Sequence, residues 1–274
     1  MQSQAPSIIN PNWALRLVQP LDFRHKLGIC ERLFGRSLAP YGVCWVHTAA
    51  GLPWKLDLAS PTHRWIVYGK YEGRPFLDWA RRFLPPDGIV VDSGANIGQM
   101  LLYLAQWVPQ GRVLAFEPGA EAAQWLSECL DLNAHLPVEL IRCALGSKAC
   151  EMSLVKVGIP ETHGGCNQIR ASGEGTAVQV RRLSDVLGER GIERVALWKL
   201  DVEGFELEAL AGAEALLARK GIRALYCELA FGHGDQIRAC LAGFGYECHF
   251  FDAAGRLYVP QQLPEHVNGL FLPR

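Results

Sequence analysis

The 274-residue sequence has little excess of charge of either sign. It carries 27 Lys and Arg residues against 28 Asp and Glu residues, and its formal net charge is −1. Nucleic-acid-binding surfaces and basic membrane-binding surfaces need a clear positive excess. We therefore expect no nucleic-acid partner and no basic membrane surface. A neutral or cationic cofactor and an uncharged acceptor are compatible with this balance.

Long apolar segments are also missing. No uninterrupted apolar run reaches the ~18 residues that a membrane-spanning helix requires. The N-terminal segment has neither the positive charge nor the apolar core of a signal peptide. The sequence predicts a cytoplasmic protein without a membrane span.

Cysteine pairs with the spacing of a metal site are absent, although the chain has nine cysteines. No pair shows Cys-x-x-Cys spacing, and no Cys/His cluster has the spacing of a zinc site. We interpret the cysteines as small buried hydrophobic residues in a reducing compartment. With 49% hydrophobic residues, the chain can form one large α/β domain, alone or with an N-terminal extension.

The stretch 89–98 organises the rest of the chain. Residues 89–91 are β-branched, which suits a parallel strand buried on both faces. Asp92 and a turn containing Gly94 and Gly98 follow, and these glycines let the backbone pass close to a ligand. Asn96 tolerates a left-handed conformation. A ligand at the start of the following helix would meet free backbone N–H groups.

A second strand ends on Glu117 and Pro118. An acid at this place in a βαβ unit typically binds the hydroxyls of a ribose. In a dinucleotide fingerprint the glycines crowd a pyrophosphate, but here Asn96 replaces the middle glycine and Asp92 precedes the first one. An acid in that pocket would repel a pyrophosphate and suits a cationic ligand. These two strands alone do not exclude other classes of nucleotide-binding protein.

Three motifs in order resemble the FkbM-type S-adenosylmethionine-dependent methyltransferases: residues 92–98, residues 116–118 and residues 199–206. The resemblance covers roughly Gly69 to Phe271. It implies a Rossmann-like class I methyltransferase fold, whose mainly parallel seven-stranded sheet has helices on both faces. The cofactor-binding residues that we expect are Asp92, Gly94, Ala95, Asn96, Gly98, Glu117, Pro118, Cys143, Ala144 and Asp201, with Cys143 and Ala144 beside the adenine.

We expect two domains: residues 1–86 as helices and a β-hairpin, and residues 87–274 as the catalytic domain. The N-terminal part is a cap over the site, a dimerisation arm, or simple packing. Alternating strands and helices after residue 89 require a mainly parallel sheet, and ligands of such sheets lie beyond the C-terminal strand ends. The predicted helices are Trp13–Val18, Phe23–Phe34, His63–Tyr71, Arg74–Leu84, Gln99–Trp107, Glu121–Leu132, Ser184–Leu187, Glu206–Ala218 and Asp235–Leu241. The predicted strands are Val43–His47, Trp54–Leu58, Ile89–Val91, Arg112–Phe116, Val138–Arg142, Glu151–Val157, Ala177–Arg181, Val195–Leu200, Ile222–Leu229, Tyr246–Phe251 and Gly269–Leu272.

A glycine-rich loop, residues 158–175, interrupts this alternation. It includes His163, Gly164, Gly165, Cys166 and Asn167. Long loops inside compact domains are usually functional or disordered. We interpret this one as a lid or an acceptor contact, with poor order as the alternative.

Methyl transfer from a sulfonium to oxygen needs alignment and a base near the acceptor. We expect Asp201 to face cofactor or acceptor, and Glu203 to act as base or orienting group. The alternative for Glu203 is a helix cap or a partner of an arginine. His233 is a rival base, although the family more often has a histidine where Ala230 stands. Whether Asp201, Glu203 and Glu228 hold an Mg²⁺ ion is left open, because the sequence has no metal-ligand spacing that would decide it.

The resemblance predicts an S-adenosylmethionine-dependent O-methyltransferase. Its acceptor would be a small molecule or glycan with a free hydroxyl, on a sugar, polyketide or similar natural-product scaffold. A non-catalytic nucleoside-binding module and a nicotinamide-dependent oxidoreductase are the alternatives. Asp92 and Asn96 disfavour the second. A homodimer is compatible with these expectations.

Overall fold

The structure is a computed structural model that describes residues 7–21, 23, 25–69, 73–157, 166–170, 174–230, 232–252, 254–260 and 268–274. It divides into two compact units. The first unit comprises the described parts of Met1–Arg74 together with Trp125–His135, and the second comprises Pro75–Gln124, Leu136–Val157 and the described parts of Cys166–Arg274. The domain boundary predicted after residue 86 stays a prediction.

The first unit contains a small three-stranded sheet and short helices. The predicted hairpin is present and antiparallel, and an additional strand pairs with it in parallel through Ile8 and Ile9. None of the predicted strands covers that additional strand. The strands are β1 (Ile8–Ile9), β2 (Val43–His47) and β3 (Pro53–Asp57), and the helices are α1 (Trp13–Val18), α2 (Lys26–Cys30), α3 (Arg36–Leu38) and α4 (Pro61–Tyr68).

The second predicted helix does not stop near Gly35, and this prediction is wrong. A π-helical turn, Glu31–Gly35, joins α2 to α3, and the chain leaves the helix only after a 3₁₀ turn at Ala39–Tyr41. Gly35 has right-handed helical backbone angles. It is needed for space, because a Cβ there would lie 2.5 Å from Glu31 Oε1. The glycine therefore accommodates a side chain instead of ending the helix.

The second unit is built on an eight-stranded sheet. Its strand order is β14-β13-β15-β12-β11-β4-β5-β6, with β4, β5, β6, β11 and β12 parallel and β15 antiparallel to both neighbours. A parallel core with this 3-2-1-4-5 order is the Rossmann arrangement. The predicted fold class is confirmed, with the short β14 as an eighth strand. The strands are β4 (Ile89–Ser93), β5 (Arg112–Phe116), β6 (Val138–Ile141), β11 (Leu197–Leu200), β12 (Leu225–Glu228), β13 (Tyr246–Phe251), β14 (Leu257–Tyr258) and β15 (Asn268–Pro273).

Helices cover this sheet on both faces. On one face Trp198 and Leu200 belong to a buried cluster with apolar side chains of the later helices, and the Trp198 indole donates to Ser93 Oγ at 2.8 Å. On the other face Phe76 stacks on Tyr226 with ring centroids 3.7 Å apart. The helices with residues in this unit are α5 (Arg74–Phe83), α6 (Leu101–Trp107), α7 (Ala120–Leu132), α8 (Leu183–Gly188), α9 (Glu206–Ala211), α10 (Glu214–Ala218) and α11 (Gly234–Gly243).

The predicted helix Glu206–Ala218 is in fact two helices, α9 and α10. The break lies at Gly212, where a Cβ would stand only 2.1 Å from the carbonyl oxygen of Gly146. The Gly212 carbonyl also accepts a hydrogen bond from Ser184 N. This close backbone approach bends the chain at a position that helical periodicity does not reveal.

A second, four-stranded sheet has the order β7-β10-β8-β9. Part of the predicted glycine-rich loop is its edge strand, since residues 166–170 pair antiparallel with β8. To that extent the loop prediction is wrong, whereas His163, Gly164 and Gly165 lie outside the described residues. Within the described part of the chain, no helix is both long and apolar enough to cross a membrane. The strands are β7 (Ala144–Leu145), β8 (Cys150–Val157), β9 (Cys166–Arg170) and β10 (Thr176–Arg181).

Candidate functional site

Polar side chains collect on one face of the main sheet, at the C-terminal ends of β4, β11 and β12. Lys199 is paired in register with Asp92 on one side and with Tyr226 on the other. Side chains two residues apart on a strand share a face. Asp201 and Glu228, which end or follow their strands two residues later, therefore lie on the face that carries Lys199.

Lys199 forms the centre of this group. Its ammonium lies 3.3 Å from Asp92 Oδ1 and 3.2 Å from Asp201 Oδ2, and it donates to the carbonyl of Gly94 at 2.9 Å. The residue is only 6% exposed. Burial alone would lower the pKa of Lys199, but attraction to Asp201 and Asp92 outweighs it and raises the pKa. The ammonium therefore stays charged.

Asp92 was expected to face a cationic ligand. Its side chain is 1% exposed, and the cation that it meets is Lys199. Burial raises the pKa of Asp92, and the nearby ammonium opposes that rise. Sequence reasoning missed Lys199, although its alternation with Asp201 along one strand was a usable signal.

Glu117 ties together the turns after β4 and β5. Its carboxylate accepts a hydrogen bond from Asn96 N at 2.8 Å and another from Gly119 N at 2.7 Å. Burial raises the pKa of Glu117, and the two N–H donors oppose that rise. Pro118, which follows it, is partly exposed. The acid thus holds the glycine turn, and carboxylate oxygens can accept more than one hydrogen bond.

The glycine turn itself has three left-handed residues: Gly94 with φ 74°, Asn96 with φ 50° and Gly98 with φ 87°. The N–H groups of Gly94 and Ala95 both donate to Phe116 O at 3.0 Å. A Cβ on Gly94 would lie 1.8 Å from the carbonyl oxygen of Asp201. Glycine is required there because two backbone segments touch.

The segment after β11 is a strained turn. Glu203 has φ 56°, which is unusual for a glutamate, and Gly204 has φ 99°. The carboxylate that caps this turn is Glu206, which accepts from Val202 N at 3.0 Å and from Gly204 N at 3.3 Å and is 2% exposed. Sequence reasoning considered Glu203 for this role and overlooked Glu206, whose place in the first helical turn was the signal.

Glu228 has a strongly raised pKa. Burial raises its pKa to about 8, and repulsion from Asp201, Glu203 and Glu206 and a hydrogen bond with Asp201 add to the rise. Its Oε2 is buried without a hydrogen-bond partner. Two neighbouring carboxyl groups that share a proton behave in this way.

The remaining predicted site residues are distributed as follows. His233 directly precedes α11, and its Nδ1 is buried without a hydrogen bond. The Cys143 side chain lies in the hydrophobic core, where burial raises its pKa to about 11. Ala144 begins β7 and is buried. Any contact of Cys143 with a ligand would therefore use its backbone.

Buried polar atoms without hydrogen bonds test whether this edge suits a polar ligand. Asp92 Oδ1, Glu228 Oε2 and His233 Nδ1 are such atoms, and all three lie at or after the strand ends. Buried polar groups normally have partners, and exceptions call for an explanation. The residues present fit a ligand that has hydrogen-bond donors and a positive charge. In the described part of the chain, no cluster of three or more His, Cys, Asp or Glu residues is arranged to hold a metal ion.

The sequence matches the family described as the methyltransferase FkbM domain over residues 92–248, which is more than half of the chain. The chain belongs to the FkbM methyltransferase family. The resemblance drawn from the three motifs is thereby confirmed, together with the S-adenosylmethionine-dependent family that it implied. The matched range contains every residue of the strand-end site.

Two curated relatives extend this family assignment. Methyltransferase sdnD of Sordaria araneosa is 36% identical over 161 residues, which cover 48% of this chain and 62% of sdnD. The 31-O-demethyl-FK506 methyltransferase FkbM of Streptomyces tacrolimicus is 31% identical over 128 residues, covering 47% of this chain and 40% of the relative. The chain thus spans less than two thirds of the length of these relatives.

Among solved structures, a TehB-like SAM-dependent methyltransferase from Corynebacterium glutamicum aligns with a TM-score of 0.41 and 12% identity, covering 91% of this FkbM-family chain and 98% of the other. Such a low similarity adds nothing to the assignment. The fold assignment therefore stands on the strand order and on the family match.

Proposed function

We propose that this protein transfers a methyl group from S-adenosylmethionine to a hydroxyl oxygen of a sugar or natural-product scaffold. Family membership supports methyl transfer. Oxygen as the acceptor atom is supported by a relative whose name specifies 31-O-demethyl-FK506. The observation that carries the proposal is the carboxyl pair Asp201 and Glu228 beside a glycine turn that Glu117 holds in place.

The proposed cofactor site is the turn after β4 with the ends of β5 and β6. When bound, S-adenosylmethionine supplies a methyl group already activated on a sulfonium. Glu117 would bind the ribose hydroxyls, and its hydrogen bond to Asn96 keeps the turn in place for the methionine part. The strand-end carboxylates give this edge a negative charge that favours a cation. The full proposed set is Asp92, Gly94, Ala95, Asn96, Gly98, Glu117, Pro118, Cys143, Ala144 and Asp201.

The acceptor side needs a group that takes the hydroxyl proton. Asp201, Glu203 and His233 are the candidates from the sequence, and the geometry adds Glu228. A general base works best when its pKa lies near the working pH, and Glu228 has a pKa of about 8. We propose Asp201 as the orienting carboxylate and Glu228 or His233 as the proton acceptor, with Glu203 lining the acceptor side.

Calorimetry with S-adenosylmethionine and, separately, with NAD tests the cofactor. Binding of the first alone supports the proposal. Binding of NAD alone would favour the oxidoreductase, and cofactor binding without turnover across an acceptor screen with methyl-labelled cofactor would favour the non-catalytic module.

Glu117→Ala sharpens this cofactor test. Each charge-assisted hydrogen bond contributes roughly 1.5–3 kcal/mol, so the affinity should fall about tenfold to a few hundredfold. Glu121→Ala, an exposed acid in the first turn of α7, is the matched control and should bind normally. Melting temperatures must accompany both, because Glu117 also holds two turns. Unchanged affinity in a folded Glu117→Ala protein would remove this acid from the site.

We further propose residues 1–86 as a cap or dimerisation arm on a catalytic domain of residues 87–274, in a cytoplasmic protein without a nucleic-acid partner. The exposed large hydrophobic side chains favour the dimerisation arm. Of the nine among the described residues, seven lie between residues 13 and 43. Sedimentation of the protein and of Trp13→Ser/Leu17→Ser tests this, since both residues lie on α1 and are more than 60% exposed. A monomer at micromolar concentration in both proteins would exclude the homodimer.

A further inference from the structure

Lys199 connects three separate segments of the strand-end site. It contacts Asp92 at the end of β4, the carbonyl of Gly94 in the glycine turn, and Asp201 after β11. The contacts with Asp92 and Gly94 lie on the proposed cofactor side, and the contact with Asp201 lies on the proposed acceptor side. One ammonium group therefore couples the positions of both sides.

Several carboxyl groups lie near the Lys199 ammonium. Asp201 lies 3.2 Å from Lys199, and it interacts electrostatically with Asp92 on β4, Glu228 on β12 and Glu206 on α9. Glu203 acts on Glu228 in the same way. Lys199 also lowers the pKa of Glu117. The ammonium is thus surrounded by carboxyl groups, and its loss would leave them repelling one another.

A purely structural role for Lys199 would be to neutralise Asp92, which is buried. The Asp92 side chain is 1% exposed, and for this role its single contact with Lys199 at 3.3 Å would be enough. Lys199 makes two further contacts, with Asp201 and with the Gly94 carbonyl. The Asp201 side chain is 37% exposed, so water could have solvated that carboxylate without help. The contacts to Asp201 and Gly94 are therefore not explained by the burial of Asp92.

We propose that Lys199 is a positioning residue of the methyl-transfer site. Its ammonium holds the Asp201 carboxylate in one orientation and fixes the glycine turn through the Gly94 carbonyl. This inference rests on the proposed function for its catalytic meaning. The effect of Lys199 on Asp201 and on the glycine turn can be tested without an acceptor.

The test compares Lys199→Met with the double variant Asp92→Asn/Lys199→Met. The double variant removes the buried charge pair as a whole, so it relieves Asp92 while leaving Asp201 without its cation. Lys55→Met is the matched control: it breaks an ion pair of 2.6 Å with Glu128, whose side chain is 36% exposed, in the first unit. The readouts are the melting temperature, S-adenosylmethionine affinity, and the amide hydrogen exchange of the glycine turn, residues 94–98.

In Lys199→Met the melting temperature should fall, and the amides of the glycine turn should exchange at least about tenfold faster, because the Gly94 carbonyl loses a charged donor. In the double variant the melting temperature should recover, while the turn still exchanges fast. Cofactor affinity should stay at least about tenfold below that of Asp92→Asn, because Asp201 and the turn have both lost the group that orients them. Lys55→Met should change neither exchange nor affinity.

A double variant with the normal hydrogen exchange of the glycine turn and the affinity of Asp92→Asn would overturn the proposal and leave Lys199 as a neutraliser of Asp92. If neither Lys199 variant folds, Asp92→Asn decides. It keeps the contact of Lys199 with Gly94, so its glycine turn should exchange as slowly as in the wild type, and faster exchange would contradict the proposal. If the wild-type protein binds no S-adenosylmethionine, the proposed function fails, whereas the hydrogen exchange still decides the role of Lys199.

Discussion

Two charged clusters of this molecule are largely buried, and they are satisfied to very different degrees. The helix cluster in the first unit consists of Glu31, Arg64 and Tyr68. The strand-end cluster in the second unit consists of Asp92, Lys199, Asp201 and Glu228. Both place ionisable groups away from water, which costs free energy unless partners compensate.

In the helix cluster every charge has partners. Arg64 donates to both carboxylate oxygens of Glu31 and to the carbonyls of Leu58 at 2.6 Å and Ala59 at 2.9 Å. The Tyr68 hydroxyl donates to Glu31 at 3.0 Å. The hydrogen bond from Arg64 holds the pKa of Glu31 below its ordinary value. This is a balanced pair that stabilises the folded chain.

The strand-end cluster is not balanced. Asp92 and Asp201 share one ammonium group, that of Lys199. Burial and nearby carboxylates raise the pKa of Glu228 to about 8, and two carboxylate oxygens lack hydrogen bonds. Strongly perturbed acids in such surroundings concentrate at functional sites. Under the proposed function, the strand-end cluster serves the chemistry at a cost in stability.

The largest expected effect is in the helix cluster. Arg64→Met leaves Glu31 with the Tyr68 hydroxyl but without its cation, and it removes the Arg64 donor from two backbone carbonyls. Breaking a buried pair costs about 3–5 kcal/mol, and we expect about 3 because the Glu31 side chain is 35% exposed. Urea unfolding at pH 7 measures the loss, and Arg64→Met/Glu31→Gln should recover part of it. A loss below about 1 kcal/mol would mean that the pair is not stabilising.

In the strand-end cluster, removing a charged group should raise the stability instead of lowering it. Glu228 binds its proton more tightly when folded, with a pKa of about 8 against an ordinary 4.5. Its favourable contribution is therefore complete below pH 4.5 and is lost as pH rises through 8. Glu228→Gln cannot ionise, so it should equal the wild type at pH 5 and exceed it at pH 9 by about 1–2 kcal/mol after allowance for partial exposure. Thermal melts at both pH values check this, and equal or lower stability at pH 9 would show that the cluster is not strained by charge.

The turn at Glu203 separates backbone strain from charge. Glu203→Gly relieves the left-handed conformation and should raise the free energy of unfolding by up to about 1 kcal/mol. Glu203→Gln keeps the strain and should leave stability nearly unchanged. If Glu203 acts on the acceptor proton, both variants should lose ~10²–10⁴ in turnover with normal cofactor affinity. Normal turnover in both would end its catalytic candidacy.

The sequence was sufficient to predict the parallel sheet and the strand–turn–helix at residues 89–98. Consecutive β-branched residues, glycines and strand-end acids are local signals. The role of Lys199 was beyond such reasoning, because it depends on the register that places Lys199 opposite Asp92 across two strands that are far apart in sequence. The break at Gly212 likewise depends on Gly146, which lies on a distant segment.

The same reasoning explains the choice between Glu203 and Glu206. Both are acids near a helix start, and only the left-handed φ of Glu203 decides which carboxylate turns back onto the N–H groups. A short-range pattern cannot supply that angle. The strand β9 was missed for a related reason, since its pairing with β8 crosses a glycine-rich stretch.

The smallest effect is expected at a third cluster, which is balanced but exposed. Glu139 accepts from Arg112 at 2.9 Å and from Arg190 Nε at 3.0 Å, and the hydrogen bond from Arg190 lowers the pKa of Glu139. Because the folded pKa lies below the unfolded one, the contribution is present above the ordinary pKa of 4.5 and disappears as pH falls through the folded value. Glu139→Gln should therefore cost less than about 1 kcal/mol at pH 7, this cost should shrink as the pH falls below 4.5, and 1 M salt should shrink it at pH 7. A loss comparable to that of Arg64→Met would show that the number of ion pairs, and not their burial, sets the stability of these clusters.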